Sequence, residues 1–324
     1  MKVLVVGGAG YVGSVTVDQL VQAGHTVTVL DSLVTGHRDA VHPGAELVVA
    51  DVRAEDALSR LMASHSFDAV IYYGGYIQAG ESVINPGRYF ANNVGGCIAL
   101  LNAMVAYGVG RFVFSSSAAV YGEPDEVPIR EDAPLRPVSP YGEAKLMVER
   151  MLPWYETQGV RYTSLRYFNA AGASDRCGED HRPETHLIPI VLEAAGGQRE
   201  AVPLYGTDYP NPDGTCIRDY VHVSDLAAAH VLALERPDEG GGVFNLGNGT
   251  GFSNREVIET ARKVTGKPIA VREEPRRPGD PARLVASSQR AKEALGWKPG
   301  FAGLETMVES AWRWRESHPK GYNS

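Results

Sequence analysis

The stretch Gly7-Gly8-Ala9-Gly10-Tyr11-Val12-Gly13 decides the fold. It ends an apolar run, Lys2–Gly8, that reads as a buried strand. It opens a helical pattern over Tyr11–Ala23. Glycines spaced Gly7-x-x-Gly10-x-x-Gly13 let backbone amides approach a pyrophosphate, and the helix N-terminus adds partial positive charge. The second strand, Thr26–Asp31, ends in a carboxylate 18 residues after Gly13. A carboxylate there binds the adenosine ribose hydroxyls and repels a 2′-phosphate, which favours NAD over NADP. Stripped of context, the same residues are a glycine turn with Asp31 as a helix cap.

Outward from this loop, strands and helices alternate. Glu46–Val52, Phe67–Tyr73 and Arg111–Ser115 are rich in Val, Ile or Phe and read as strands. Gly87–Ala106 and Ser139–Gln158 read as helices, and Arg161–Asn169 as a further strand. Alternation implies a parallel sheet, because parallel partners need a crossover. The fold class is therefore α/β, a Rossmann-type doubly wound parallel sheet. Asp51, ending the third strand, is placed either to reach an adenine or to stand as a solvated loop acid.

After residue 170 the pattern loosens. Gly172–Thr185 and Tyr205–Thr215 are loop-like and turn-rich, and Glu273–Pro281 is a Pro/Arg loop. Ser253-Asn254-Arg255-Glu256 is a capping box for a helix that runs to Thr265 and stops at Gly266. The expected division is 1–170 for an NAD-binding domain and 171–324 for a smaller mixed α/β substrate domain. Some segments of the second are expected to return to the first.

Composition narrows the classes. The 324 residues are 44% hydrophobic and 22% charged, the mix of a globular protein rather than a disordered one. The net charge of −8 argues against a general nucleic-acid binder. No apolar run approaches the roughly 18 residues of a membrane helix, and the N-terminus does not read as a signal peptide. Cys97, Cys177 and Cys216 form no C-x-x-C pair and no zinc-type cluster, so no metal site is expected. Three sparse cysteines suit a reducing, cytoplasmic compartment.

Tyr141 and Lys145 share one helix face at i and i+4. With 15 Tyr and 7 Lys in the chain, chance alone gives about 0.3 such pairs. The chemistry adds meaning. A nearby ammonium and a nicotinium charge favour phenolate, which then takes a proton from a sugar hydroxyl as hydride leaves. Ser117 closes Ser115-Ser116-Ser117 at a strand end, where its hydroxyl is placed to share that proton. Taken alone, the three serines are also a simple polar strand end.

These residues resemble the extended short-chain dehydrogenase/reductase family. Longer stretches are similar to its UDP-glucose 4-epimerase (UDP-galactose 4-epimerase) branch: Phe112–Pro124, Ser139–Glu149, Arg166–Gly172, Gly178–Pro189, Gly206–Val223, Phe244–Gly249 and Arg276–Asp280. The likeness covers nearly the whole chain. It implies tightly held NAD and reversible C4 epimerisation of UDP-glucose and UDP-galactose. In the family, the tyrosine takes the 4-OH proton, NAD takes the C4 hydride, and the keto sugar turns before hydride returns. Tyr141, Lys145 and Ser117 match the catalytic set. Cofactor contacts are implied at Gly7, Gly10, Tyr11, Val12, Gly13, Asp31, Ser32, Asp51, Val52, Tyr73, Gly74, Gly75, Asn92, Ser115, Tyr141, Lys145 and Tyr167. Substrate contacts are implied at Ser117, Tyr141, Asn169, His186, Leu187, Arg218, Tyr220, Arg277, Asp280 and Leu284. Arg218 and Arg277 suit a diphosphate, although a lone arginine is more often a surface ion pair. A homodimer through the helices Gly87–Ala106 and Ser139–Gln158 is also implied.

The chain departs from the family at several points. Ala118 and Ala119 stand where related dehydratases carry an Asp-Glu pair, so elimination lacks a proton carrier. Tyr72-Tyr73-Gly74-Gly75 replaces a segment close to His-Phe-Ala-Ala, which is expected to shift the nicotinamide or weaken NAD retention. Val15 follows Ser14 where many relatives have His. Leu284 is intermediate between a large residue that excludes N-acetylated sugars and a small one that admits them. A 4-epimerase of another UDP-sugar and a non-catalytic NAD binder remain alternatives.

Overall fold

The computed structural model describes residues 1–236, 242–277 and 279–323. The strands are β1 (Lys2–Val6), β2 (Thr26–Asp31), β3 (Glu46–Val49), β4 (Ala69–Tyr72), β5 (Arg111–Ser117), β6 (Arg161–Tyr167), β7 (Asn169–Ala171), β8 (Val202–Tyr205), β9 (Ile217–Arg218), β10 (Tyr220–His222), β11 (Gly242–Leu246), β12 (Phe252–Ser253), β13 (Val271–Glu274) and β14 (Arg283–Leu284). The main sheet runs β11-β6-β5-β4-β1-β2-β3, and every pairing in it is parallel. Strand order reverses between β1 and β4, so their carboxyl ends open the crevice where such sheets take ligands. β1 is apolar almost throughout, as a strand covered on both faces must be.

Two cores flank this sheet. On one face Val17 and Leu20 of α1 (Tyr11–Gln22) meet Leu226 and Ala229 of a helix at Val223–Glu235. On the other face Leu58 and Leu61 pack with Leu100, Met104, Val148 and Leu152. A third core, including Val191, Leu204, Val257 and Met307, lies in the second half of the chain. Strand β11 follows residue 170 yet edges the main sheet beside β6, with Leu246 opposite Tyr167.

The elements match the sequence reading closely where local signals are strong. The capping box at Ser253 and Glu256 is formed, and Gly266 ends that helix in the left-handed region. Three expectations change. The helix read over Gly87–Ala106 runs from Pro86 to Tyr107 with a π-helical segment at Phe90–Val94. It is long and apolar enough to cross a membrane by length and composition, contrary to the sequence count, but it packs as a core helix. The loop read over Glu273–Pro281 begins inside β13, which pairs with β8 and so satisfies its backbone there. Pro278 of that loop lies outside the described residues.

Candidate active site

The glycine loop sits at the crevice. A Cβ at Gly13 would overlap the Gly7 carbonyl oxygen, so the start of α1 can press on the loop only with glycine there. No side chain caps α1 and no acid occupies its first turn, which leaves its amides available to an anion. Asp31 is buried and accepts from Ala9 N at 2.9 Å through Oδ2 and from Leu33 N at 2.9 Å through Oδ1. Burial pushes its pKa up against these hydrogen bonds. Ser32 is exposed beside it. These features fit a dinucleotide whose pyrophosphate rests on the loop.

Several implied cofactor positions also have partners within the fold. Asp51 is a part-exposed loop acid whose oxygens accept from Arg53 Nε at 3.0 and 3.2 Å and from Arg53 N at 2.9 Å. The Tyr73 ring turns away from the crevice into the core, its hydroxyl 2.6 Å from Thr16 Oγ1 and its ring 4.7 Å from His230. Only its backbone, which donates to Val6 O at 2.8 Å, borders the loop. Tyr72 is fully buried, and Gly74 and Gly96 make room for it: a Cβ at either would lie within 3.1 Å of its ring or hydroxyl. Val52 lines the same spot, its Cγ1 2.8 Å from a Cβ at Gly96. The bulk at Tyr72 is therefore absorbed locally by two glycines.

Ser117, Tyr141 and Lys145 converge. Ser117 ends β5, opposite Tyr167 of β6. Ser139 caps the helix Pro140–Glu156 by accepting from Gly142 N at 3.2 Å, which sets Tyr141 in its first turn. Gly142 allows close approach, since a Cβ there would lie 2.5 Å from Ala119 O. The Tyr141 phenol lies close enough to Ser117 for that hydroxyl to lower its pKa, while Ser117 Oγ accepts from Ala119 N at 3.1 Å. Lys145 Nζ donates to Ser115 O at 2.7 Å and stands 6.0 Å from the Tyr141 ring centre. Ser115 Oγ is 2.5 Å from the Tyr167 hydroxyl.

Burial dominates the electrostatics of these three groups. It raises the Tyr141 pKa, and the neighbouring Ser117 hydroxyl opposes it. Burial also pulls Lys145 down to about 8. The phenol here is thus held protonated by its low-dielectric surroundings. Behind β5 lies a buried ion pair: Arg166 Nε donates to Glu149 at 2.9 and 3.1 Å, and Ser116 Oγ donates to the same carboxylate at 2.5 Å. Arg166 also reaches the Tyr121 hydroxyl at 2.8 Å.

On the substrate side, Arg218 pairs with Asp280, 62 residues away, and stands opposite Leu284 in β14. Leu284 packs in the cluster of Ala118 and Tyr121, which brings it to the Ser117 end of the sheet. Asp280 N donates to Arg277 O at 3.2 Å, and the Arg277 guanidinium lies 3.8 Å over the Tyr205 ring. Asn169 and the buried Tyr220 pair across β7 and β10. Leu187 opens the helix Leu187–Ala195, with His186 as its N-cap residue.

Sequence reading missed three groups. Asn93, in the π-helical segment beside Asn92, pins Tyr76 by accepting from its N at 2.8 Å and donating to its O at 2.9 Å. Asp219 is buried and accepts from Asn248 N, Gly249 N and Ala286 N at 2.8–3.0 Å, tying three loops. Glu179, His181, Glu184 and His186 converge within 4.8 Å, although no metal-type cluster was expected. Their alternation along Gly178–Leu187 is the signal that could have found them. In this cluster burial disfavours the imidazolium of His186, but Glu179 and Glu184 raise it to about 10.

A parallel sheet with a glycine loop at its switch point and a Ser–Tyr–Lys set at a neighbouring strand end defines a dinucleotide site set beside proton-transfer groups. Residues 3–247 match the NAD dependent epimerase/dehydratase family, and the chain belongs to it. It is 52% identical over 329 residues to a UDP-glucose 4-epimerase of Halalkalibacterium halodurans, covering 100% of this chain and 98% of that one. It is 52% identical over 325 residues to a UDP-glucose 4-epimerase of Streptomyces lividans, covering 99% and 98%. A solved UDP-glucose 4-epimerase from Bifidobacterium longum, in complex with NAD+ and UDP, superimposes with a TM-score of 0.95 at 37% identity, covering 99% and 100%.

Proposed function

We infer that this chain catalyses the reversible C4 epimerisation of UDP-glucose and UDP-galactose with bound NAD. The observation that carries the reading is the convergence of Ser117, the half-buried Tyr141 and Lys145, whose Nζ is anchored on Ser115 O, at the sheet end next to the glycine loop. Full-length relatives at about half identity carry that activity in their names. Hydride acceptance from C4 and its return to the opposite face are the chemistry NAD supplies when bound.

The chain's own residues supply the rest. Gly7, Gly10, Gly13 and the α1 amides hold the pyrophosphate, and Asp31 holds the adenosine ribose. Ser32, Val52, the 73–75 backbone, Asn92, Ser115 and Tyr167 border the remainder. Tyr141 receives the 4-OH proton, Ser117 shares it, and the same proton returns after the keto sugar has turned. Lys145, when charged, favours the phenolate that this step needs. Arg218 and Arg277 meet the diphosphate, with Asp280 orienting Arg218. Asn169, His186, Leu187 and Tyr220 complete the uridine side. Ala118 and Ala119 offer no ionisable group, which disfavours elimination at C5–C6.

Purified protein incubated with UDP-galactose and no added nucleotide is expected to form UDP-glucose. No conversion, even with NAD added, overturns the reading. Conversion only with added NAD implicates the Tyr72–Gly75 segment in retention. Leu284 favours a second, narrower reading, some turnover of UDP-GalNAc; none at high enzyme concentration rejects it.

Residues 1–170 form the NAD-binding part and 171–324 the substrate part in this reading, with β11 and the helix Val223–Glu235 returning to the first. Ile84 is 78% and Trp154 73% exposed, with Val83, Tyr107 and Met147 also exposed. These residues support a homodimer through the helices at 79–84, 86–107 and 140–156, and sedimentation as a monomer alone would refute it. Three buried free cysteines support a cytoplasmic location, which fractionation tests.

A further inference from the structure

The loop from Gly172 to His186 spans 15 residues with no helix or strand. Loops of about that length without secondary structure are uncommon and, where ordered, usually functional. This one folds four side chains inward. Glu179 Oε1 lies 3.0 Å from His181 Nδ1 and 2.8 Å from His186 Nδ1. Glu184 Oε1 lies 3.0 Å from His186 Nδ1, and its Oε2 lies 3.8 Å from His181 Nδ1. We propose that Glu179, His181, Glu184 and His186 form a structural Zn2+ site that clamps this loop.

Three observations carry the assignment. The first is spacing. A tetrahedral zinc ion with bonds of about 2.0–2.1 Å sets its ligand atoms about 3.3–3.4 Å apart. The four distances fall on both sides of that length, and all four atoms lie within 4.8 Å of one another. The second is charge. Glu184 and Glu179 are 4% and 8% exposed, so two carboxylates share one buried point with the two imidazoles, and Glu184 Oε1 also accepts from Thr185 N at 2.6 Å and His186 N at 2.7 Å. Buried charge demands a compensating charge, and a divalent cation balances two carboxylates. Arg182 in the same loop is directed elsewhere, to Asp180. The third is donor type. Two imidazole nitrogens with two carboxylate oxygens suit zinc, whereas calcium and magnesium take oxygen sets.

Four protein ligands leave no open position, which makes the site structural rather than catalytic. Its place gives it a task. Tyr11 of the glycine loop donates to Gly172 O at 2.5 Å, and its ring meets His181 edge-on at 6.2 Å. His186 and Leu187 open the next helix. A bound ion would thus fix the loop against the cofactor crevice and set the entry to the Leu187 helix. It engages only Nδ1 of His186.

The test uses the full chain with its cofactor. The protein is dialysed against a chelator, reloaded with zinc chloride, desalted and analysed by mass spectrometry for metal. About one zinc per chain is expected for the unaltered protein, and about a tenth or less for His181→Ala and Glu184→Gln. His65→Ala, at the exposed His65–Glu46 pair, is expected to keep the full amount. The chelator should lower the Tm of the unaltered protein but not that of His181→Ala. X-ray absorption on the unaltered, zinc-loaded protein needs no variant to fold, and is expected to show two imidazoles and two oxygens at about 2.0–2.1 Å. Failure of the unaltered protein to retain zinc, full retention by His181→Ala, or a shell without imidazole overturns the proposal.

Discussion

The Ser117 end of the main sheet and the Arg218–Asp280 pair are assembled in different ways. Ser117, Tyr141 and Lys145 lie within 29 residues on one strand and one helix, each positioned by local rules: a strand end, an N-cap and an i,i+4 step. Arg218 and Asp280 lie 62 residues apart on a two-residue strand and a loop. Their meeting depends on β9 lying between β12 and β14, and on the buried Asp219 carboxylate that ties the adjacent loops. The first region is rigid through continuous secondary structure. The second is rigid through side-chain hydrogen bonds, so single substitutions there should loosen binding rather than stop chemistry.

The largest expected effect tests the first region. Tyr141→Phe should lower epimerisation by about 10²–10⁴-fold while NAD stays bound. A rate within twofold of the unaltered enzyme would remove Tyr141 as the proton carrier. Next comes Arg218→Ala, which should raise KM for UDP-galactose by about 10–100-fold, the worth of a charged hydrogen bond, with kcat changed far less. A fall in kcat with KM unchanged would erase the contrast between the two regions.

A third prediction concerns the helix Val223–Glu235, which supports β5 and β6 from below. His230 is buried, its Nδ1 2.8 Å from Leu226 O, and burial lowers its pKa to about 4. The unfolded chain takes up that proton below about pH 6.5 and the folded chain does not, so stability falls as pH drops from about 6.5 toward 4. At pH 5 the loss amounts to about 2 kcal/mol for this one group. Urea unfolding of His230→Gln at pH 7 and pH 5 should show a smaller drop than the unaltered chain; an equal drop would show that another group governs it. The smallest effect belongs to Tyr72→Phe. The Tyr72 hydroxyl is buried and has no hydrogen-bond partner among the described residues. Its removal should be neutral or stabilising by about 1 kcal/mol, with NAD retention unchanged. Weakened retention would restore a cofactor role for that hydroxyl.

Legibility in the sequence followed the range of the interactions. The glycine loop, β2 with Asp31, and the capped helix at Ser253 were readable because neighbours in the chain satisfy them. The π-helical segment at Phe90–Val94 carries no local signature. Its Asn93 works only because Tyr76 comes to meet it. The turn of Tyr73 toward Thr16 was equally hidden, since alternate residues on a strand face opposite ways and the family likeness spoke only of the position. Asp51 reads as an acid at a strand end, but the Arg53 guanidinium two residues on claims it.

By itself the sequence determined the parallel α/β order, the dinucleotide loop and the Ser–Tyr–Lys set, because 3.6-residue and two-residue periodicities and glycine spacing are local properties. Only the tertiary structure decided the protonation of that set. The Tyr141 phenol is raised by burial, and the Lys145 ammonium is lowered by burial while it holds the Ser115 carbonyl. Desolvation depends on everything packed around a group, and no stretch of chain encodes it alone.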